Sequence, residues 1–288
     1  MVEKKPKKSL ERIKVTEKIG EVPYDITEDD RDFYTTNGFF IAKKVFTERE
    51  CSAILNQMRF FADNEFSAIM NPDRADFLIA QALESLPQDL TTAQRADIVR
   101  SATDVAEYMR GVMKDSREIH ILETLHTHPL DCLMSQVLFK EAGSAYSHQA
   151  WNPHQDNSYP RNLKKEYITT NLFLLPADKE NGSLYGYSGS HEEDLLESED
   201  VPSYREDPAS NPGKNILNLD EICKQKGYEK IDLIFDTGDL LVLNGNFIHG
   251  SYPNLSNRSR PLYSRSYISK GEPFIPGANA RRMAIPFD

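Results

Sequence analysis

Apolar residues in the first half of the chain recur at helical intervals. Thr27 and the acidic residues after it suit a helix start, and Asn37-Gly38 suits a turn before a short apolar strand. Thr47 and Glu50 have the spacing of a capping box, which predicts a second helix carrying Ile54, Leu55, Met58 and Phe61 on one face. Similar periodicity between 67 and 115 predicts further helices, so this half of the chain is expected to be mainly helical.

After Pro129 the pattern changes to short apolar runs separated by Gly, Asn, Pro and Asp, which is typical of antiparallel strands. The runs are Val137–Phe139, Ile168–Leu175, Ser183–Tyr187, Ile231–Phe235, Leu240–Leu243 and Leu262–Ile268. Many short strands preceded by helices that cover one face indicate a mainly β jelly roll with flanking helices and a helical N-terminal half.

The composition indicates one folded unit behind a polar tail. Residues 1–20 are rich in Lys and Glu and poor in large apolar side chains, so we expect a flexible N-terminal tail. The remainder, 21–288, is predicted to be a single domain with a helical insertion at about 67–115. The proline-rich and acidic stretch at about 193–230 is expected to be a second insertion over one rim of the barrel.

Charge and hydropathy narrow the class of protein. With 34 Lys+Arg against 45 Asp+Glu, the formal net charge is −11, which argues against a nucleic-acid partner. We also expect no membrane partner and a cytoplasmic location, because the sequence contains neither a long apolar run nor a signal peptide. The three scattered cysteines have no CxxC spacing, so they predict neither a disulfide framework nor a thiolate zinc site.

A candidate metal site comes from two histidines and an aspartate. His154 and Asp156 are two residues apart, so on an extended segment both side chains would project to one face. That pair alone is more often a structural or surface feature. His249 follows an apolar strand further along the chain, and the three residues together have the composition of the facial triad of non-haem iron(II) oxygenases. A zinc hydrolase could use the same ligands.

A positively charged side chain outside the triad favours iron over zinc as the metal. Arg260 follows His249 by 11 residues and can return on the next strand to hold a carboxylate through its bidentate guanidinium. Ser251 lies two residues after His249 and can add a hydroxyl hydrogen bond. Arg258 and Arg265 compete for the role of Arg260, since strand register can slip by one or two residues in such an interpretation, but the spacing to His249 selects Arg260.

At this point the sequence resembles the phytanoyl-CoA dioxygenase family from about Phe33 to Ile268. Five ordered segments carry the resemblance: FYTTNGFFIAKKVFTEREC, PHQD at 153–156, ENGSLYGYSGSH at 180–191, TGDLLVLNGNFIHGS at 237–251, and NLSNRSR ending at Arg260.

The resemblance implies a cupin-like double-stranded β-helix that binds Fe(II) through His154, Asp156 and His249. The far carboxylate of 2-oxoglutarate would lie on Arg260 and Ser251, and the family implies a further co-substrate contact from Gln136. Asn171 departs from the family pattern, because several relatives have Trp beside the co-substrate at this place. Asn171 would contact 2-oxoglutarate or substrate, or this wall of the pocket would differ from that of the relatives.

The resemblance also implies the reaction. Because Asp156 is present, hydroxylation or another oxidation is expected rather than halogenation, with 2-oxoglutarate and O2 consumed and succinate and CO2 as co-products. The co-substrate would be cleaved by oxidative decarboxylation, and the protein would supply position and a shielded pocket.

The substrate is expected to be a small, polar molecule, because no basic cluster suited to a CoA phosphate lies near the triad. Asn157, Tyr159 and Arg161 are candidate substrate contacts, although an exposed loop is the competing interpretation, and Trp151 could line the entrance or belong to the core. Two other functions stay open at this stage, a non-catalytic jelly-roll binding module and a zinc-dependent hydrolase. Monomer and homodimer are both compatible with the sequence.

Overall fold

The computed structural model describes residues 25–62, 69–70, 72–85, 89–196 and 218–275. Within these ranges, helices precede and flank the strands. The helices are α1 (Glu28–Asn37), α2 (Glu48–Ala62), α3 (Ala75–Ser85), α4 (Thr92–Met113), α5 (Ser116–His126) and α6 (Leu219–Lys226). The strands are β1 (Phe39–Ala42), β2 (Ile69–Met70), β3 (Leu130–Lys140), β4 (Trp151–His154), β5 (Tyr167–Phe173), β6 (Leu184–Tyr187), β7 (Lys230–Asp232), β8 (Leu240–Asn244), β9 (His249–Ser251) and β10 (Arg260–Ser269).

The predicted helix starts have a direct physical cause. The Thr27 side chain accepts a hydrogen bond from the backbone N–H of Asp30, whose carboxylate accepts one from the Thr27 backbone, so the first donors of α1 are satisfied. Thr47 and Glu50 make the same reciprocal pair at the start of α2. Both starts therefore agree with the sequence analysis.

Two antiparallel sheets form the jelly roll. The larger sheet has six strands in the order β1-β8-β5-β10-β3-β2, and the smaller has four in the order β4-β9-β6-β7. The expected jelly roll with flanking helices is confirmed. Helices α3 and α4 lie in the region 67–115, and α6 lies in the region 193–230. The proposed tail 1–20 lies outside the described residues.

The large sheet separates two apolar clusters, because side chains alternate between its faces. On the outer face, Leu172, Val242 and Tyr263 pack with helical residues such as Met58 and Met109. On the inner face, a second cluster lies between the sheets and contains Phe173, Leu184, Leu241, Phe247 and Leu262. Residue parity along a strand therefore tells whether a side chain faces the helices or the barrel interior.

None of the helices in the described part of the chain combines the length and the apolar character needed to cross a membrane.

Candidate active site

The two histidines of the candidate triad meet where β4 and β9 pair. His154 ends β4, His249 begins β9, and the two are direct cross-strand partners. Their ring centroids are 4.5 Å apart. Both side chains are buried, so the antiparallel pairing of two short strands brings together residues that are far apart in sequence.

The aspartate joins them from a turn. His154 and Asp156 were expected on one extended segment, but β4 ends at His154 and Asp156 begins a 3-10 helix, Asp156–Ser158. The expectation of one extended segment was wrong, but Asp156 still lies beside both histidines. Asp156 Oδ1 lies 3.4 Å from His154 Nε2 and Asp156 Oδ2 lies 3.7 Å from His249 Nε2. One ligand atom from each residue lies within 4.8 Å of the others.

Backbone carbonyls orient both imidazoles. His154 Nδ1 lies 2.8 Å from the Asn152 carbonyl oxygen, and His249 Nδ1 lies 3.1 Å from that of Phe247. A carbonyl oxygen only accepts, so each Nδ1 must carry the proton and donate. This assignment leaves each Nε2 with its lone pair directed toward Asp156, which is the tautomer that a metal requires.

A group of buried amides holds the turn that carries Asp156. Gln155 Nε2 donates to the Asn246 carbonyl at 3.0 Å, and Asn157 Nδ2 donates to Asn246 Oδ1 at 2.8 Å. Asn157 also donates to the Asn162 carbonyl and accepts from the Asn162 N–H. Asn246 belongs to the turn just before His249, so these contacts fix the two halves of the triad relative to each other.

The electrostatics of the triad suit a cation. Burial raises the pKa of Asp156, but His249 and then His154, when protonated, hold that pKa well below its usual range. Burial opposes protonation of His154, yet its contacts with Asp156 raise its pKa. Burial lowers the pKa of His249. The site therefore contains one carboxylate with two imidazoles, the ligand set of a facial triad.

Arg260 lies on the inner face at the start of β10 and is 2% exposed. Its Nε donates to the Gly182 carbonyl at 3.0 Å, and its buried Nη1 has no hydrogen-bond partner among the described residues. Burial lowers the pKa of Arg260 to about 10, which leaves the guanidinium charged at neutral pH. A buried donor without an acceptor fits an anionic ligand that completes the site.

The two competing arginines have other partners. Arg258 is half-exposed and pairs with Asp178 at 2.8 Å. Arg265 has the opposite parity to Arg260 on β10 and pairs with buried Glu118 of α5, on the helical side of the sheet. Of the three arginines, the fold directs Arg260 to the interior.

The remaining predicted co-substrate residues lie on two strands of the interior and on β9. Gln136 of β3 and Asn171 of β5 both pair with Ser264 of β10, so the three form a row across the inner face. Ser251 lies two residues from His249 on β9 and its hydroxyl is 2.9 Å from Lys140 Nζ. Lys140, a buried lysine on the inner face of β3, was not among the residues predicted from the sequence.

The candidate substrate residues are dispersed. Trp151 is half-buried, its ring centroid lies 5.8 Å from that of His154, and its Nε1 donates to the Tyr146 hydroxyl at 3.3 Å. Tyr159 is half-buried and Arg161 is exposed, both on the loop that follows Asp156. Asn157 is fully buried and its amide is used by the loop contacts above. Its burial favours a role in holding that loop over contact with substrate.

These residues fit a metal ion and a dicarboxylate. The two Nε2 atoms and the carboxylate offer a mixed nitrogen and oxygen ligand set, and the unpartnered Nη1 of Arg260 offers a donor to a carboxylate. Two triad residues lie on the small sheet and the buried cation lies on the large sheet, which supplies the two kinds of contact that a chelating 2-oxo dicarboxylic acid needs.

Solved structures share this fold. The carbocyclase SnoK from nogalamycin biosynthesis, described as non-heme and alpha-ketoglutarate-dependent, superposes with a TM-score of 0.62 at 14% identity, over 93% of this chain and 98% of that one. EctD from S. alaskensis, solved with 2-oxoglutarate and 5-hydroxyectoine, gives a TM-score of 0.61 at 14% identity, over 91% and 86%. At these identities the superpositions show that the fold is shared, and in this chain that fold brings His154, Asp156 and His249 together.

Sequence comparison gives the family. The family model described as Phytanoyl-CoA dioxygenase (PhyH) matches residues 34–262, so the chain belongs to the phytanoyl-CoA dioxygenase family. A phytanoyl-CoA dioxygenase domain-containing protein 1 homolog from Dictyostelium discoideum is 31% identical over 40% of this chain and 39% of its own length, so the match spans less than half of that relative. Phytanoyl-CoA dioxygenase 1 from Oryza sativa subsp. japonica is 22% identical over 84% of this chain and 89% of its own.

Proposed function

We propose that this protein is an Fe(II)- and 2-oxoglutarate-dependent dioxygenase that hydroxylates or otherwise oxidises a small polar metabolite, with succinate and CO2 as co-products. His154, Asp156 and His249 would hold the iron. Arg260 and Ser251 would hold the far carboxylate of 2-oxoglutarate. Iron and the co-substrate, when bound, supply the oxidising chemistry with O2, and the chain supplies ligands, orientation and exclusion of water.

The observation that carries the proposal is the combination of the triad with the unpartnered Nη1 of Arg260. A zinc hydrolase needs the three ligands but has no use for a buried guanidinium on the other sheet. A binding module needs neither a metal nor a carboxylate site. Only a metal-chelating dicarboxylate uses both ends, which is why the oxygenase is the best supported of the three functions.

The polar lining of the interior supports a small polar substrate. Gln136, Ser264 and Asn171 form one row, and Thr169 pairs with Ser266 one step further along the same face. The Thr169 and Ser266 hydroxyls are both buried. A long acyl chain would leave such groups without hydrogen bonds, which costs free energy, whereas a substrate with hydroxyl or amide groups would satisfy them. Trp151, Tyr159 and Arg161 would border this space.

An anaerobic titration of the metal-free protein with Fe(II) and 2-oxoglutarate tests the proposal. We expect the weak visible charge-transfer band of a chelated complex in the wild type, no band in His154→Ala, and a band that needs more 2-oxoglutarate in Arg260→Ala. His148→Ala is the matched control, because His148 is an exposed histidine just upstream and should leave the band unchanged.

Two results would redirect the assignment. The zinc hydrolase would be favoured if the protein bound zinc tightly, with or without 2-oxoglutarate, and formed no charge-transfer band with Fe(II). No metal binding at all would favour the binding module. If the band forms, compounds can be screened by their ability to accelerate its decay after O2 is admitted, since a bound substrate couples co-substrate oxidation to turnover.

A further inference from the structure

Four uncharged polar side chains, here called the neutral block, lie together on the inner face of the large sheet. Across the β10–β5 pair, Ser264 is the direct partner of Asn171, and Ser266 is the direct partner of Thr169. Because side chains alternate along a strand, all four share one face. Direct partners are about 5 Å apart and residues two apart on one strand about 7 Å apart, so the block has the size of a single six-membered ring with its substituents.

The block contains hydrogen-bonding groups that the folded chain does not pair. Thr169 and Ser266 are 6% and 4% exposed, and their buried hydroxyls have no hydrogen-bond partner among the described residues. Asn171 is 4% exposed, and within the same residues its carboxamide makes no hydrogen bond. Other buried amides, such as those of Asn157 and Asn254, donate to backbone carbonyls. Since buried polar groups are normally paired, these groups are available to a ligand.

Hydroxyls that face the helices show the opposite behaviour. Thr170, the neighbour of Thr169 on β5, donates to Glu118 at 2.6 Å. Ser135 of β3 donates to Asp73 at 2.7 Å. Both hydroxyls are buried, and both are paired within the protein. The difference between the two faces of the sheet therefore comes from what the protein leaves in front of the inner face, not from residue type.

The neutral block adjoins the triad and is separate from Arg260. The turn Asp156–Ser158 packs against β5. The Thr169 hydroxyl lies beside the Asp156 carboxylate but does not meet it in hydrogen-bond geometry. Arg260 precedes Ser264 by four residues on β10, a distance on the order of 13 Å along the strand. A molecule on the block would therefore lie at the metal end of the interior.

The strands that flank the block carry uncharged side chains on the same face. Met134 is the partner of Ser266 on β3, and Leu241 and Leu243 are the β8 partners of Asn171 and Thr169. A charged group placed here would lose its hydration without gaining a counter-ion from the sheet. Hydroxyls and a carboxamide each donate and accept, so they match the hydroxyl groups of a ligand, which also do both.

We propose that the neutral block is the substrate subsite and that it selects an uncharged, ring-sized molecule with several hydroxyl groups, a polyol or a sugar-like compound. The four side chains of the block would exchange hydrogen bonds with these hydroxyls and hold the ring beside the triad. The inference rests on the proposed function. It narrows the substrate from a small polar metabolite to a class defined by its charge and its hydroxyl groups.

A series of matched ligands tests the class without turnover. The protein is loaded anaerobically with Fe(II) and 2-oxoglutarate, and each ligand is titrated by calorimetry and by its effect on the charge-transfer band. The neutral probes are myo-inositol, glucose and methyl glucoside, and the charged probes with the same ring are glucuronate and glucosamine. We expect at least one neutral probe to bind and to change the band, and each charged probe to bind at least about 10-fold more weakly than that neutral probe.

Two variants of the block separate ligand binding from packing. Ser266→Ala and Asn171→Leu remove hydrogen-bonding groups with little change in volume, so each should weaken binding of the neutral probe about 3- to 30-fold. Both should keep the wild-type affinity for 2-oxoglutarate and a urea midpoint that is equal or higher, because the deleted groups have no partner in the free protein. Thr170→Val is the matched control, which should lose stability and bind the neutral probe as the wild type does.

The outcomes separate the two proposals. Tighter binding of a charged probe, or a band that no neutral probe changes, would overturn the inference while the oxygenase assignment stands. Lower stability of Ser266→Ala and Asn171→Leu with unchanged probe binding would also overturn it, because the block would then be structural. Equal weakening of 2-oxoglutarate and the neutral probe would assign the block to the co-substrate instead. If the wild type forms no band, the proposed function fails and the inference fails with it.

Discussion

Two buried arginines on one strand have opposite surroundings. Arg265 and Arg260 both lie on β10 and are almost completely buried. Arg265 Nε and Nη2 donate to Glu118, and its Nη1 donates to the Tyr263 carbonyl at 2.9 Å. Arg260 has one described hydrogen bond to the protein, from Nε to Gly182, and an unpartnered Nη1. On the helical face each guanidinium nitrogen of the arginine has a hydrogen-bond partner, whereas on the inner face Nη1 has none.

The difference separates a structural charge from a binding charge. Burial opposes the charge of Arg265, but Glu118 raises its pKa well above the usual range, so the folded protein itself stabilises the pair. Burial lowers the pKa of Arg260, and only a weaker effect of Tyr146 raises it. A buried charge without a counter-ion is costly. The burial of Arg260 is therefore best explained by an anionic ligand that pairs with its guanidinium.

The largest effect is expected from breaking the saturated pair. Glu118→Gln leaves the Arg265 guanidinium buried without a counter-ion, which costs about 3–5 kcal/mol of unfolding free energy. Urea unfolding of the metal-free protein measures this loss. Asp178→Asn weakens a half-exposed ion pair of Arg258, which also has Glu180 within 3.5 Å, and should cost less than about 1 kcal/mol. Similar small losses in both variants would contradict the structural role of the Arg265 pair.

Arg260 is expected to contribute to ligand binding and not to stability. Arg260→Met should weaken 2-oxoglutarate binding about 100-fold, the effect of losing a bidentate charge-assisted contact, without lowering the unfolding free energy of the metal-free protein. The stability should hold because the folded chain offers Arg260 little compensation for burial. Binding is followed by the charge-transfer band, with Arg258→Met as the control. An Arg260→Met protein as unstable as Glu118→Gln would remove the distinction between the two arginines.

The third prediction extends the comparison to Lys140. Its pKa falls from 10.5 to about 6 on folding. Between these values the unfolded chain holds a proton that the folded chain lacks, so folded-state stability rises with pH across this window. Lys140→Met removes that dependence and should be more stable than the wild type by about 2 kcal/mol at neutral pH, because folding then no longer requires a buried amine to lose its proton.

Urea unfolding of the metal-free protein across the same pH window measures this difference, which should shrink as the pH rises toward the upper end. Lys224→Met, at an exposed lysine of α6, should show no change from the wild type at either end. A gap between the wild type and Lys140→Met that is constant with pH would mean that Lys140 is charged in the folded protein.

The smallest effect is expected at the backbone contact of Arg260. Gly182 has φ +87°, so Gly182→Ala places a side chain in the left-handed region at a cost of about 1 kcal/mol. Its Cβ would also lie 3.0 Å from backbone atoms of Tyr252 and Asn254. Gly143→Ala is the matched control, because Gly143 has φ +79° with nothing within 4 Å of an added Cβ.

Both glycine variants should lose stability to the unfavourable φ in urea unfolding, and Gly182→Ala should lose more because its Cβ also meets backbone atoms. Only Gly182→Ala should also bind 2-oxoglutarate several-fold more weakly, since its carbonyl orients Arg260. Unchanged 2-oxoglutarate binding in Gly182→Ala would show that the carbonyl does not set the position of the guanidinium.

Part of the site could be predicted because several motifs, each weak alone, occur together in one order. Two histidines and one aspartate with family spacing identify a metal triad, and counting from His249 selected Arg260 over its neighbours. Parity along β10 then explains the choice, since residues 260 and 265 must face opposite sides of the sheet. Nothing in the sequence separates Lys140 from a solvent-exposed lysine, because its burial depends on Gly182 and on strand pairing distant in the chain.

Local patterns in the chain were enough for the helix starts at Thr27 and Thr47, the strands after Pro129, the jelly roll and the triad, because capping, alternation and ligand type are properties of short segments. The turn that presents Asp156, the partners of the two arginines and the uncharged state of Lys140 emerged only in the folded chain. Each of these depends on burial and on contacts between segments far apart in sequence, which set the local dielectric and the hydrogen-bond partners.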